Sequence, residues 1–204
     1  MLKKYAILFG LIISLILLLT ATRYYPGGSQ YDKNSVGFDW KNNYVCNLFS
    51  EKAVNGAGNS SRPWAIPGML FLCISFALFF IDFSKKIPLK GASAIIRYTG
   101  AGAMFFAFLI VTSYHDIMVI ISSTLALVSM FYIMVFTFKS KLTLFKLLSL
   151  ICILVFYCTN YIYYSGSYLA ILPVMQKILF AIMLLWVFSL TYFTTREDFE
   201  HIKK

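Results

Sequence analysis

Side chains able to do acid–base, nucleophilic or ligating chemistry are few in this chain, and they sit near the ends of long apolar runs. His115, Asp116 and Cys46 can be drawn as a base, an orienting carboxylate and a nucleophile. No G-x-S-x-G elbow, H-E-x-x-H or paired-acid motif accompanies them. Adjacent positions on a helix point to different sides, which separates His115 from Asp116. The same trio makes a poor metal set, because only His115 is on offer beside the carboxylate and thiol. Cys46 reads most simply as a packed small side chain, since a reactive thiol needs an activating base and partial exposure. No catalytic residue, metal site or cofactor is expected.

A second polar group suggests binding. Asn160 lies about one helical turn from the end of an apolar run, and Gln176 and Lys177 lie near the start of another. Ionisable groups within a span cost several kcal/mol, so each asks for an explanation. Two readings of Lys177 stand. If its helix begins near Leu169, Lys177 is about two turns inside and pairs with Asp116 or a loop carboxylate such as Asp39. If the helix begins near Pro173, Lys177 is at the interface and needs no partner. On the first reading Asp39, Trp40, Asn43, His115, Asp116, Asn160, Gln176 and Lys177 are the candidate pocket residues.

The elements that position them are membrane spans. Of 204 residues, 60% are hydrophobic and 13% are charged, where a soluble domain carries about 25% charge. Surface-to-volume scaling leaves a soluble fold of this size unable to hide so much apolar surface. The expected architecture is an all-α integral membrane protein with six transmembrane helices, at about 5–22, 64–83, 95–113, 117–138, 147–164 and 169–193. The first run also has the layout of a signal peptide, but its length favours an uncleaved helix. Ser61 is the expected N-cap of the second span, with Pro63 in its first turn. Asp82 and Lys86 form an expected i,i+4 pair, and Arg97 snorkels to the interface. The mid-depth of every span lacks ionisable residues, which weakens a proton-coupled transporter. Gly100, Gly102, Ala103 and Ala107 point to close packing of the third span.

Basic residues set the orientation. Lys3, Lys4, Lys85, Lys86, Lys90, Arg97, Lys139, Lys141, Lys146, Arg196, Lys203 and Lys204 gather on one side, while the short connections around Tyr114–Asp116 and Ser165–Tyr168 have no Lys or Arg. The positive-inside rule then puts both termini in the cytoplasm. The segment 23–63 becomes an extracytoplasmic loop, and 194–204 a cytoplasmic tail that reads as a solvated helix end. The net charge of +10 follows this pattern and makes no basic stripe, so nucleic acid is not an expected partner. Tyr24, Tyr25, Trp64, Tyr114, Tyr161, Tyr163, Tyr164 and Tyr168 read as an aromatic belt at the outer interface.

The long loop looks folded. Tyr25-Pro26-Gly27-Gly28 has the chemistry of a tight turn. Val45, Leu48, Phe49 and Ala53 recur at helical spacing, with Asn42 as a start and Asn55-Gly56 as a stop, which predicts an amphipathic helix over 42–54. Only one of the four cysteines, Cys46, lies in the loop, so the loop holds no internal disulfide. Asn59-Ser60-Ser61 matches a glycosylation sequon, discounted because Lys-, Ile-, Asn- and Phe-rich usage suggests a bacterial inner membrane.

The run Tyr25-Pro26-Gly27-Gly28-Ser29, Gly37-Phe38-Asp39-Trp40, Asn43, Cys46-Asn47-Leu48, Ala53-Val54-Asn55-Gly56 and Asn59 resembles the first extracytoplasmic loop of DUF998-type proteins. Those are six-span membrane proteins similar in layout to the Frag1/DRAM/Sfk1 group. The resemblance implies architecture and supplies no reaction. The leading expectation is a non-enzymatic protein that binds a lipid, small amphiphile or partner at its outer mouth. Membrane lipids and a protein partner or homo-oligomer are the expected associates. A transporter or channel subunit is the alternative, and a membrane-surface hydrolase stands third.

Overall fold

The computed structural model describes residues 2–202, and Met1, Lys203 and Lys204 lie outside it. Six long helices account for most of the chain: α1 Leu2–Arg23, α2 Arg62–Ser84, α3 Lys90–Phe108, α4 His115–Lys139, α5 Thr143–Ser165 and α6 Leu172–Phe193. All six, with the short 3-10 turns that extend α3 and α6, are long and apolar enough to cross a membrane. The protein is thus a multi-pass membrane protein by length and composition. A short α7, Glu197–Glu200, follows α6. No strand occurs among the described residues.

Several helices begin earlier than hydropathy suggests. α3 starts at Lys90 and α5 at Thr143, ahead of the first strongly apolar residues. Hydropathy locates where a chain can enter hydrocarbon, whereas a helix continues until its backbone bonds are diverted.

Consecutive helices α1 to α4 pack side by side, α5 and α6 form a hairpin beside α4, and α6 returns to touch α1 and α2. The segment 24–61 covers the end of the bundle where α1 stops and α2 starts; we call it the cap. The opposite end is filled by aromatic side chains. Phe79, Phe80, Phe83, Trp186 and Phe199 are all buried, with Phe79 edge-on to Trp186 at 5.4 Å and Phe83 to Phe199 at 5.5 Å. Gly100 lets α3 close on this cluster, since a Cβ there would fall on the Phe80 ring. The Trp186 indole N–H donates to Ser149 Oγ at 2.9 Å, joining α6 to α5.

Two expectations need revision at this far end. Lys86 makes no ion pair with Asp82; it is buried, and its Nζ donates to Leu190 O at 2.9 Å and Thr194 Oγ1 at 3.1 Å. The last carbonyls of α6 lack helical partners, and a cation answers both the missing bonds and the helix dipole. The segment after α6 is solvated only in part: Thr195, Arg196, Glu197, Glu200 and His201 are exposed, while Phe199 and Ile202 are buried against the bundle. His201 Nε2 also meets Lys139 O at 3.0 Å.

The cap is compact but differs from the expected helix. Only Val45–Leu48 winds, as a single 3-10 turn. The carbonyls that would carry a helix onward are taken by side chains: Asn59 Nδ2 donates to Asn47 O and Ser50 O, and Ser61 Oγ donates to Leu48 O. Ser61 therefore anchors the cap and makes no side-chain cap bond to α2. The periodic residues Leu48, Phe49 and Ala53 are buried regardless, packing on Tyr25, Leu18 and Ala65. At the expected tight turn Gly28 has φ +80, and a Cβ there would collide with the Val54–Asn55 backbone.

Candidate functional site

Beneath the cap the six helices do not close. An apolar chamber of about 310 Å3 lies there, walled by Leu18, Met69, Leu72, Met104, Ala126, Phe156, Leu179 and Phe180 among others. Its polar residues are His115, Ser122, Ser123, Thr159, Asn160, Tyr163 and Gln176, with Cys46 in the roof. Small-molecule sites begin at about 300 Å3 and combine apolar walls with a few polar groups. The chamber fits that description.

Three further spaces share its walls. A mouth of about 280 Å3, lined by Tyr44, Asn47, Ser50 and Thr112, meets it at Cys46, Phe49, Ile110 and His115. A groove of about 440 Å3 on the flank between α4 and α5 meets it at Ser123, Phe156 and Asn160. Tyr157, Tyr161 and Tyr164 rim this groove and are exposed on the bundle surface. Tyr164 and Ser123 hydroxyls lie 2.7 Å apart and join the two helices across it. A slot of about 130 Å3 beside α1 and α6 meets the chamber at Leu18, Val45 and Phe180.

The structure divides the eight candidate residues into separate groups. His115, Asn160 and Gln176 line the chamber. Asn160 Nδ2 donates to Phe156 O of its own helix at 2.8 Å, and Gln176 Oε1 accepts the Val45 N–H at 3.2 Å. Trp40 and Lys177 line the slot instead. Lys177 pairs with neither Asp116 nor Asp39: its Nζ donates to Asn43 O at 2.7 Å and Pro173 O at 2.8 Å, and lies 5.6 Å from the Phe38 ring centre. Gln176 and Lys177 together tie α6 to the cap, which explains a cation placed so early in a span.

Asp39 and Asn43 line none of these spaces; they build the cap. Asp39 Oδ1 accepts the Lys41 and Asn42 amides, and Oδ2 accepts Asn42 Nδ2 at 2.7 Å. The Asn42 carboxamide first, then those amides and Lys177, hold the Asp39 carboxyl below the usual carboxylate range. Asn43 is fully buried, with Oδ1 accepting the Asp39 N–H and Nδ2 donating to Gly28 O, both at 2.8 Å.

His115 and Asp116 do meet, contrary to the expectation from their adjacency. Nδ1 lies 2.9 Å from Asp116 Oδ1, because α4 begins at His115 and the first-turn side chains have nothing before them to hold them apart. Tyr163 OH donates to the same oxygen at 3.0 Å. Tyr163, expected only as part of the aromatic belt, joins the site through this bond and the chamber wall. The available signal was its position near the cap end of α5, at the depth where antiparallel α4 presents Asp116. Ser122, Ser123 and Thr124 return hydrogen bonds to Val119 O and Ile120 O.

Cys46 shares the chamber and mouth with His115, but burial pushes its thiol up to about 11. A thiol so held stays protonated near neutrality and is a weak nucleophile. Among the described residues, no three His, Cys, Asp or Glu side chains come together as metal ligands. Compared with protein-family models, curated proteins and solved structures, the chain finds no match.

Proposed function

We propose that this protein binds the acyl portion of a lipid or similar amphiphile in the chamber under its cap. One observation carries the reading. The chamber is apolar toward the bundle centre, polar at its cap end, and shares Ser123, Phe156 and Asn160 with a groove on the α4–α5 flank. A molecule with a tail and a head matches that gradient, and the flank offers a lateral entrance from hydrocarbon. The aromatic packing of Phe79, Phe80 and Trp186 below the chamber favours a binding site over a conducting path.

Orientation is part of the proposal. Lys4, Lys85, Lys86, Lys90, Lys139, Lys141, Lys146 and Arg196 all lie toward the end opposite the cap. The positive-inside rule then makes the cap extracytoplasmic. A C-terminal reporter that works only outside the cytoplasm should remain silent, and an active fusion would reverse the assignment. The resemblance of the cap to DUF998-type loops agrees with this layout and adds no ligand.

The direct test is native mass spectrometry of the full chain in mild detergent. Bound lipid is expected on the wild type and lost in Leu179→Trp, which fills the chamber from its wall. Lipid retained equally by both proteins would remove the chamber as the site.

A further inference from the structure

We propose that the mouth selects an amphiphile whose headgroup carries an ammonium with N–H donors, the ethanolamine class being the simplest example. This rests on the chamber holding the tail, and it concerns what the tail is attached to.

Hydroxyls of Tyr44, Ser50 and Thr112 line the mouth, and two acceptors stand at it. Asn47 lies in its wall, and its Oδ1 is buried without a hydrogen-bond partner among the described residues. Buried acceptors are seldom left so, and a turn of the Asn47 side chain toward the mouth would let a ligand's donor satisfy this one. Asp116 stands beside the mouth, fixed through Oδ1 by His115 and Tyr163, with its side chain 83% exposed. The Tyr44 ring completes the wall.

Lysine and arginine stand away from the mouth. Among the described residues no Lys or Arg lines the mouth or the chamber. Lys177, on the neighbouring slot, has its ammonium on Asn43 O and Pro173 O. Arg62 faces Glu51 at 3.6 Å; its Nε is buried and unpartnered, but Arg62 is outside the mouth's lining. An anionic headgroup would therefore meet a carboxylate and an orphan carbonyl oxygen with no Lys or Arg to balance it. An ammonium would meet a carboxylate, an acceptor and an aromatic ring.

The test offers the wild-type chain, in detergent, equal amounts of phosphatidylethanolamine, phosphatidylcholine, phosphatidylglycerol and a glucosyl diacylglycerol with identical tails. Retention is read by native mass spectrometry. Phosphatidylethanolamine should be kept about tenfold over phosphatidylglycerol, the scale of one charge-assisted hydrogen bond. Trimethylation removes the N–H donors, so phosphatidylcholine should fall well below phosphatidylethanolamine. Asp116→Asn should erase the ethanolamine preference, lowering phosphatidylethanolamine retention and raising that of phosphatidylglycerol. Equal retention of ethanolamine and choline lipids, or preference for the glycerol or glucosyl head, overturns the ammonium assignment and leaves the chamber standing. An ethanolamine preference that survives Asp116→Asn overturns it too. Failure to retain any of the four refutes the chamber reading itself. The headgroup series needs no variant, so a poorly folded Asp116→Asn protein does not block it.

Discussion

Replacing Asn43 by Leu tests whether the cap is a cooperative unit of its own, held together by one buried carboxamide. Asn43 is fully buried and makes two side-chain bonds, accepting from the Asp39 amide and donating to Gly28 O, both at 2.8 Å. Leucine matches its size and deletes both. The Asp39 N–H and Gly28 C=O are then left without partners, at about 1–3 kcal/mol each. The lower bound for the pair, about 2 kcal/mol, corresponds to about a thirtyfold rise in the cap-opening equilibrium. Amide exchange reads that equilibrium residue by residue. The Asn47, Phe49 and Ala53 amides, bonded to Tyr44 O, Cys46 O and Ala57 O, should exchange about thirtyfold faster. Amides of α2 around Phe79–Phe83 should be unaffected, because the aromatic cluster lies at the other end of the bundle. Cap amides unchanged within about threefold would refute the carboxamide as keystone. Equal acceleration in α2 would refute the separateness of the cap.

Other outcomes follow from single contacts. Gly100→Ala places a methyl on the Phe80 ring and should lower stability by about 1–3 kcal/mol, seen as reduced thermal stability in detergent. Cys46, with its thiol pushed up to about 11 by burial, should resist a water-soluble maleimide at pH 7 and label faster as pH rises toward that value; prompt labelling at pH 7 contradicts the raised thiol value. Burial also brings the Lys86 ammonium down to about 8, so the unfolded chain binds the extra proton between there and the ordinary lysine range. Wild-type stability should accordingly rise with pH across that window relative to Lys86→Met, measured by parallel thermal melts. A pH profile identical in the two proteins would show that Lys86 is not desolvated.

The expected helix over 42–54 is instructive because its burial pattern is right and its conformation is not. Leu48, Phe49 and Ala53 are buried as the spacing requires. Periodicity reports which side chains seek a core, but it cannot see that Asn59 and Ser61 take the carbonyls a helix would use. Lys86 and Lys177 teach the same lesson for charges. Each has a nearby carboxylate in sequence or space, and each instead donates to one backbone carbonyl of another element. Such partners exist only after the helices have met.

The apolar runs determine that the chain has six helices able to cross a membrane, and where each begins to within a few residues. Short-range turn chemistry likewise announces a folded cap, through Pro26, Gly27 and Gly28. What only tertiary structure decides is which apolar residues face a neighbour, the surroundings or an empty space. In a soluble protein, polarity marks the outer face of a helix. In a membrane bundle both faces are apolar, because hydrocarbon is as acceptable to Leu as a protein core is. Leu179 in the chamber wall and Leu185 on the bundle surface are alike in sequence. Their difference lies in helix separation at the cap end, and that separation makes the site.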